Sequence, residues 1–270
     1  MPIEAPRAIR HLVLALTIAA NFGCATPPDP SDRESYAEFR AINDPLEPLN
    51  RTVFQFNQAL DAMFLRPLAD FYRLLLPPPM QEAVHNILAN LRSPIVLAND
   101  VLQGEWDRAG TTTGRFLVNS TVGVGGIGDP ASDFGLAYHN EDFGQTLAVW
   151  GVAEGPFLML PVVGPSNPRD AAGLAVDSAV LDPMGLLNTI GAGPQWLSTA
   201  SYARLGTTAI DARAQNVEEL DDLQKSSLDY YAAIRSLYRQ FRTSEIHQGH
   251  PPIGEQGPSL EDFPAGPVPE

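Results

Sequence analysis

Residues 50–65 read Asn-Arg-Thr-Val-Phe-Gln-Phe-Asn-Gln-Ala-Leu-Asp-Ala-Met-Phe-Leu. Val53, Phe56, Leu60, Met63 and Phe64 recur at the helical period, which predicts one helix limited by Arg66-Pro67. Phe54 lies off that stripe, so the predicted helix is apolar on two sides. A helix apolar all round is either deeply buried or facing lipid. The same periodicity returns along the chain. Residues 80–91, entered through Pro77-Pro78-Pro79, place Ala83, Val84, Ile87, Leu88 and Leu91 at helical spacing, and 95–102 and 106–118 predict two more helices. Residues 208–241 form the longest candidate. Ile210, Val217, Leu220, Leu228, Tyr231, Leu237 and Phe241 keep period there, with acidic residues early and Arg late, as the helix dipole favours. The predicted fold class is mainly α.

Between 123 and 168 the pattern changes. Gly and Pro crowd between short apolar runs such as Phe157-Leu158-Met159-Leu160 and cannot sustain a long helix. The segment is too apolar for a solvated loop, and long irregular segments inside compact domains are usually functional.

The first 23 residues have the form of an export signal. Arg7 and Arg10 precede an apolar run over 12–20, then Phe22 and Gly23 lead to Cys24. Two processing routes fit. Gly23 suits cleavage before a lipidated Cys24, although Asn21 stands where a lipobox usually has leucine. Gly23-Cys24-Ala25 also reads as a small-x-small site with cleavage after Ala25. Cys24 is the single cysteine, and an exported chain with one leftover thiol points to lipidation. Residues 24–42 then serve as anchor and linker, 43–245 as the folded body, and 246–270, rich in Pro, Gly and acid, as a disordered tail.

The formal charge is −15, which argues against nucleic acid and against electrostatic docking on anionic lipid. A lone cysteine excludes an internal disulfide framework, so a core must hold the fold. Past the leader no run of 18 apolar residues occurs. Any membrane contact therefore comes from acyl chains or apolar faces.

Catalytic chemistry has little support. Gly123-Val124-Gly125-Gly126-Ile127-Gly128 matches G-x-G-x-x-G, but Asp129-Pro130 follows where a nucleotide site needs a helix, so a flexible or closely packed turn is expected. Ser166 sits in a Gly-Pro-Ser-Asn-Pro turn rather than a nucleophile elbow. His139, Glu141 and Asp142 lack zinc-ligand spacing, and an exposed, solvated His139 is expected. Lys225, the single lysine, lies on an acidic helix face. No catalytic residue, metal or cofactor is expected. Asp44, followed by Pro45, is expected to cap the first helix. Arg51 and Arg169 are placed either against phosphates or against acidic neighbours.

Three segments in order resemble one family, the MlaA (VacJ) lipoproteins. Asn43-Asp44-Pro45-Leu46-Glu47-Pro48-Leu49-Asn50-Arg51 with Phe56-Asn57 and Arg66-Pro67 is similar to its N-terminal pattern. Glu141-Asp142-Phe143-Gly144-Gln145-Thr146-Leu147 with Trp150-Gly151 is similar to its central motif. Gly155-Pro156-Phe157, Leu160-Pro161, Gly164-Pro165-Ser166 and Arg169-Asp170 are similar to the third. The similarity runs over 43–187 and more weakly beyond. It implies a single ring-like domain of amphipathic helices seated in the inner leaflet of the outer membrane. It further implies association with a trimeric porin and a polar channel. Phospholipid from the outer leaflet passes through that channel to a soluble periplasmic, MlaC-like carrier. Gly144, Gly151, Gly155, Pro156, Leu160, Pro161, Gly164, Pro165, Ser166, Arg169 and Asp170 are the implied channel or loop positions. Ala25 after Cys24 lacks the acidic residue that retains lipoproteins in the inner membrane. A porin-associated structural lipoprotein that moves no lipid is the alternative, and a phospholipase is a weaker rival.

Overall fold

The computed structural model describes residues 42–250. The signal segment, Cys24, nearly all of the linker and the tail beyond residue 250 lie outside the described residues. The chain is mainly α, as expected. Its helices are α1 (Glu47–Leu60), α2 (Arg66–Leu75), α3 (Pro78–Gln103), α4 (Trp106–Thr121), α5 (Pro130–Asp133) and α6 (Phe143–Val149). A hairpin of β1 (Leu158–Leu160) and β2 (Gly164–Ser166) follows, then α7 (Pro168–Val176), α8 (Pro183–Thr189), α9 (Gln195–Gln215), α10 (Val217–Ser226) and α11 (Tyr230–Ile246). Wider π-helical turns occupy Asp61–Leu65 and Asp177–Leu181.

Several boundaries differ from the sequence expectation. Arg66-Pro67 does not end the first helical run. Helical geometry continues through the π turn, with Leu65 at φ −69° and ψ −44°, and Pro67 falls in the first turn of α2. The runs 80–91 and 95–102 are one 26-residue helix with Pro94 inside it. Buried Ile95, Val96 and Asn99 pack this helix beyond the proline, and it ends at Gly104 in the left-handed region, φ 81°. The candidate at 208–241 is three helices. Asn216 leaves helical geometry (φ −110°, ψ 25°), Ser227 is extended, and Asp229 caps α11 by accepting from Ala232 N at 3.2 Å. Leu228, counted on the apolar stripe, is fully exposed. Asp44 is not a cap. Leu46 precedes α1 with no side-chain cap bond, and Asp44 Oδ1 instead accepts from Asn50 Nδ2 at 2.8 Å.

The described chain forms two compact units: 42–61 with 155–168, and 62–154 with 169–250. In the first, α1 packs on β1, and the strands pair antiparallel with Leu158 opposite Ser166 and Leu160 opposite Gly164. In the second, α3 packs against α4, α6 and α9, while α2 packs against α9. Helices α6 and α7 cross at Gly144 and Gly173, where a Cβ on Gly173 would lie 2.3 Å from Gly144 N. No larger residue fits that crossing.

The interior is unusual in what it buries. The largest side chains almost wholly removed from solvent are Gln145, Glu141, Asn50, Asn99, Thr146 and Asp100. The buried apolar residues include Ala69, Ala109, Ala131 and Ala214 beside a few larger ones such as Ile95, Phe157, Met159 and Leu197, whereas many Phe, Leu and Trp side chains are exposed. In a water-soluble domain the sorting runs the other way.

Candidate functional site

In the second unit, α2 presents its apolar side outward. Leu68, Phe71, Leu74 and Leu75 are exposed, Leu74 to 84%, and Met63 and Phe64 of the preceding π turn are exposed as well. Its inward side is small or polar. Ala69 is buried and Tyr72 Oη donates to Asp211 Oδ1 at 3.0 Å, while on the flank opposite the stripe the partly exposed Arg66 and Arg73 pair with acids of α10. Burial, then the Asp211 bond, pushes the Tyr72 phenol up to about 12. Apolar residues also stand out on α4 (Trp106, Phe116, Leu117) and α9 (Trp196, Tyr202, Leu205). Trp106, Trp150 and Trp196 are each more than half exposed. Exposed apolar area of this kind marks an interaction surface. Among the described residues no helix is long and apolar enough to cross a membrane.

Beneath these faces lies a connected polar network. Thr146 Oγ1 donates to Asn99 Oδ1 at 2.8 Å, and Asn99 Nδ2 donates to Asp177 Oδ1 at 3.1 Å. Asp177 also accepts from Phe143 N at 3.0 Å, fixing the start of α6. Gln103 Nε2 and Arg108 Nη2 donate to the two oxygens of Glu141, at 2.9 and 2.5 Å. Burial pushes the Glu141 and Asp177 carboxyls up, more than these bonds pull them down. His139 is not solvated, contrary to expectation. Its side chain is 14% exposed, and its Nε2 lies 3.1 Å from Asp100 and from Thr112 Oγ1. A proton relay needs the acid and the hydroxyl on opposite ring nitrogens. Here one nitrogen meets both, and Thr112 gives its proton to Asp100 at 2.6 Å. The cluster is a structural knot.

A second knot centres on Arg242. It donates to Asp142 at 2.6 and 2.7 Å, to Asp170 at 2.9 Å and to Glu245 at 3.1 Å, while Tyr238 Oη donates to Asp170 at 2.5 Å. Burial alone raises both aspartates, but the Arg242 hydrogen bonds and charge outweigh it and hold both carboxyls below the usual range. Asp142 also caps α6, accepting from Gln145 N at 2.9 Å. Arg169 pairs with Asp170 at 2.9 Å, the acidic-neighbour alternative. Gly144 is therefore a buried helical contact rather than a loop residue, Arg169 and Asp170 stand in α7, and Gly151 follows α6 with φ 87°.

The first unit gathers the other motif residues. Asn43 Nδ2 donates to Gly155 O at 2.7 Å and Asn43 O accepts from Phe157 N at 2.8 Å. Asn50 donates to Phe157 O (3.0 Å) and accepts from Met159 N (2.9 Å). Two turns on, Asn57 repeats the pattern with Leu160 O (2.9 Å) and Val162 N (2.8 Å). Each amide thus grips a carbonyl and the N–H two residues later, as a paired strand would. Arg51 pairs with Glu47 at 2.7 Å. Ser166 is buried and donates to Asn167 O at 3.3 Å; Pro165 lies opposite Met159; Gly164, φ 99°, starts β2; Pro156 and Pro161 flank β1. Sequence reasoning missed Asn99, Asp100, Asp177, Tyr238 and Arg242. The adjacent Asn99-Asp100 inside the apolar run 95–102 was their one local signal.

Of the two readings of the Gly123–Gly128 turn, the closely packed one holds at Gly123 and Gly126. A Cβ on Gly123 would lie 2.5 Å from Asn119 O, and Gly126 (φ 91°) abuts Asn90. The cleft beside it, about 670 Å³, is lined by Glu82, Asp129 and Asp133, which repel a pyrophosphate. Asp129-Pro130 does open a helix, α5, but one of only four residues. Among the described residues no group of three or more His, Cys, Asp or Glu is placed to hold a metal.

Residues 42–245 match the family model of the MlaA lipoprotein. The chain belongs to the MlaA lipoprotein family. Among its MlaA relatives, the Haemophilus influenzae intermembrane phospholipid transport system lipoprotein MlaA is 31% identical over 255 residues, 93% of this chain and 95% of that one. The Escherichia coli MlaA of the same name is 31% identical over 86% of both chains. A solved structure, described as the structural basis for maintenance of bacterial outer membrane lipid asymmetry, superposes with a TM-score of 0.62 at 32% identity. It covers 77% of this chain and 99% of that one. The MlaA likeness thus spans both compact units and the helical fold.

Proposed function

We propose that this protein is an outer-membrane lipoprotein, anchored through Cys24 on the periplasmic side, that removes misplaced phospholipid from the outer leaflet. It passes the lipid to a soluble periplasmic carrier in association with a trimeric porin, and so maintains lipid asymmetry. It acts as a passive conduit and performs no catalysis. One observation carries this reading beyond family membership: the reversed sorting of side chains. Exposed Phe71, Leu75 and Trp106 suit an acyl phase, while buried Glu141, Asn99 and Asp100 keep polar groups within the protein. Acyl tails can stay in the membrane while the head group crosses, which avoids taking a whole lipid into water. Phospholipid transport and lipid asymmetry are also the roles named for the similar proteins above.

Deleting the gene is expected to place phospholipid in the outer leaflet and sensitise cells to detergent, with wild-type protein restoring both. Unchanged asymmetry in the deletion strain would sink the transport reading.

A further inference from the structure

The side of α2 opposite its apolar stripe carries a charge arrangement that the transport reading leaves unused. Arg66 and Arg73 stand two helical turns apart, so both project from one side of α2, opposite the exposed Leu68–Phe71–Leu75 stripe. Arg213 of α9 lies beside them through a shared partner, Asp221. Facing these three cations is α10, Val-Glu-Glu-Leu-Asp-Asp-Leu-Gln-Lys-Ser. Asp221 Oδ1 accepts from Arg66 Nη1 at 2.5 Å and lies 3.8 Å from Arg213 Nη2, and Glu218 accepts from Arg73 Nη2 at 2.7 Å. A carboxylate between guanidinium groups has the geometry of a bound oxyanion. Here the chain supplies its own.

The seat of α10 is slight. Val217 is its one buried residue, Asn216 and Ser227 leave helical geometry at either end, and Leu228 beyond is fully exposed. Its attachment to α2 therefore rests on partly exposed ion pairs, which are individually weak and screened by salt. The arginines' face is also turned away from the stripe that suits acyl chains, the side on which a head group travels if that stripe meets lipid.

We propose that Arg66, Arg73 and Arg213 form a phosphate-binding site for phospholipid head groups, and that α10 is a built-in competitor whose Asp221 and Glu218 fill the site until a lipid phosphate displaces them. The proposal rests on the transport reading and adds where the head group is held and what keeps that place closed. The guanidinium fork fits phosphate and carboxylate alike. A phosphodiester and an aspartate carry the same charge, so tethering gives α10 its advantage through local concentration. A lipid supplied by a bilayer is concentrated too. Dilute free phosphate is not.

The test uses the full mature chain in neutral-detergent micelles, with dihexanoyl phosphatidylglycerol as one probe and inorganic phosphate as the other. Asp221→Asn with Glu218→Gln opens the site and is expected to bind the lipid about tenfold more tightly than wild type, with affinity falling as salt rises. Adding Arg66→Gln and Arg73→Gln to that background is expected to abolish the gain. Asp222→Asn, whose carboxylate meets only Lys225 at 3.7 Å among the ion pairs, is expected to change nothing. An opened variant that melts like wild type yet binds lipid no better overturns the proposal, as does equal binding of inorganic phosphate. If the arginine variants deliver phospholipid to acceptor vesicles at the wild-type rate, the site falls and the transport reading stands. If no form binds or delivers phospholipid, both fall.

Discussion

Arg242 shows what a single side chain does in this protein. It neutralises Asp142 and Asp170 in a setting where neither carboxylate is more than one-fifth exposed. Removing it takes from Asp142 its guanidinium partner and leaves Asp170 with Arg169 and Tyr238. Arg242→Met is therefore expected to cost about 3–5 kcal/mol at pH 7, measured by urea unfolding. Asp142 and Asp170 titrate below their unfolded value when folded. The stability they contribute is present above the unfolded carboxylate pKa, near 3.9, and is lost as pH falls through the folded values. The penalty of Arg242→Met should accordingly begin to shrink below about pH 4 and fall away once pH passes below the folded values, where both states hold protonated acids. Glu141 and Asp177 act in the opposite sense. Their folded values are raised, so their contribution is complete below the unfolded pKa and is lost as pH rises through the folded one. An Arg242→Met variant as stable as wild type at pH 7 would mean that Tyr238 and Arg169 suffice for Asp170.

At the scale of one element, α2 separates packing from surface. Leu68 and Phe71 are about half exposed, so exchanging both for Ser leaves Ala69 and Tyr72 to hold the helix. Each large apolar side chain withdrawn from water is worth roughly 1.5–3 kcal/mol. Two half-withdrawn ones correspond to about a hundredfold in bilayer partitioning. Leu68→Ser with Phe71→Ser, made in a Cys24→Ser chain so that no acyl anchor contributes, is expected to reduce vesicle co-sedimentation by about that factor with an unchanged melting temperature. Equal sedimentation would place the membrane contact elsewhere. The periodicity of such helices was legible in the sequence, but their orientation was not. A stripe such as Leu68–Phe71–Leu75 has the same spacing whether it faces a core or a lipid. Helix breaks were also hidden, since Asn216 and Ser227 are not obligatory breakers, and Pro94 was overridden by packing beyond it.

For the whole molecule, the three ordered motifs were enough to give the family and the mainly helical class. The polar interior was not readable in the same way. Asp142 and Arg242 are 100 residues apart, and Asn99 and Asp177 are 78 apart, so local pattern cannot announce that they meet. His139 was misjudged for that reason: its neighbours Glu141 and Asp142 were visible, while its true partner, Asp100, lay in α3. The amide grips of Asn50 and Asn57 fall between these cases. Their seven-residue spacing is visible in the motif, but the backbone they hold is more than a hundred residues away.

An interior of carboxylates and amides also leaves a thermal fingerprint. Newly wetted apolar surface raises the heat capacity by about 0.45 cal/K/mol/Å², and polar surface lowers it by about 0.26. Here unfolding wets Gln145, Glu141 and Asn99, whereas Leu74 and Trp106 are already outside. Scanning calorimetry should therefore find an increment below the usual value of about 12–15 cal/mol/K per residue. The curve of stability against temperature is then shallow, and a chain with this interior loses little grip on cooling.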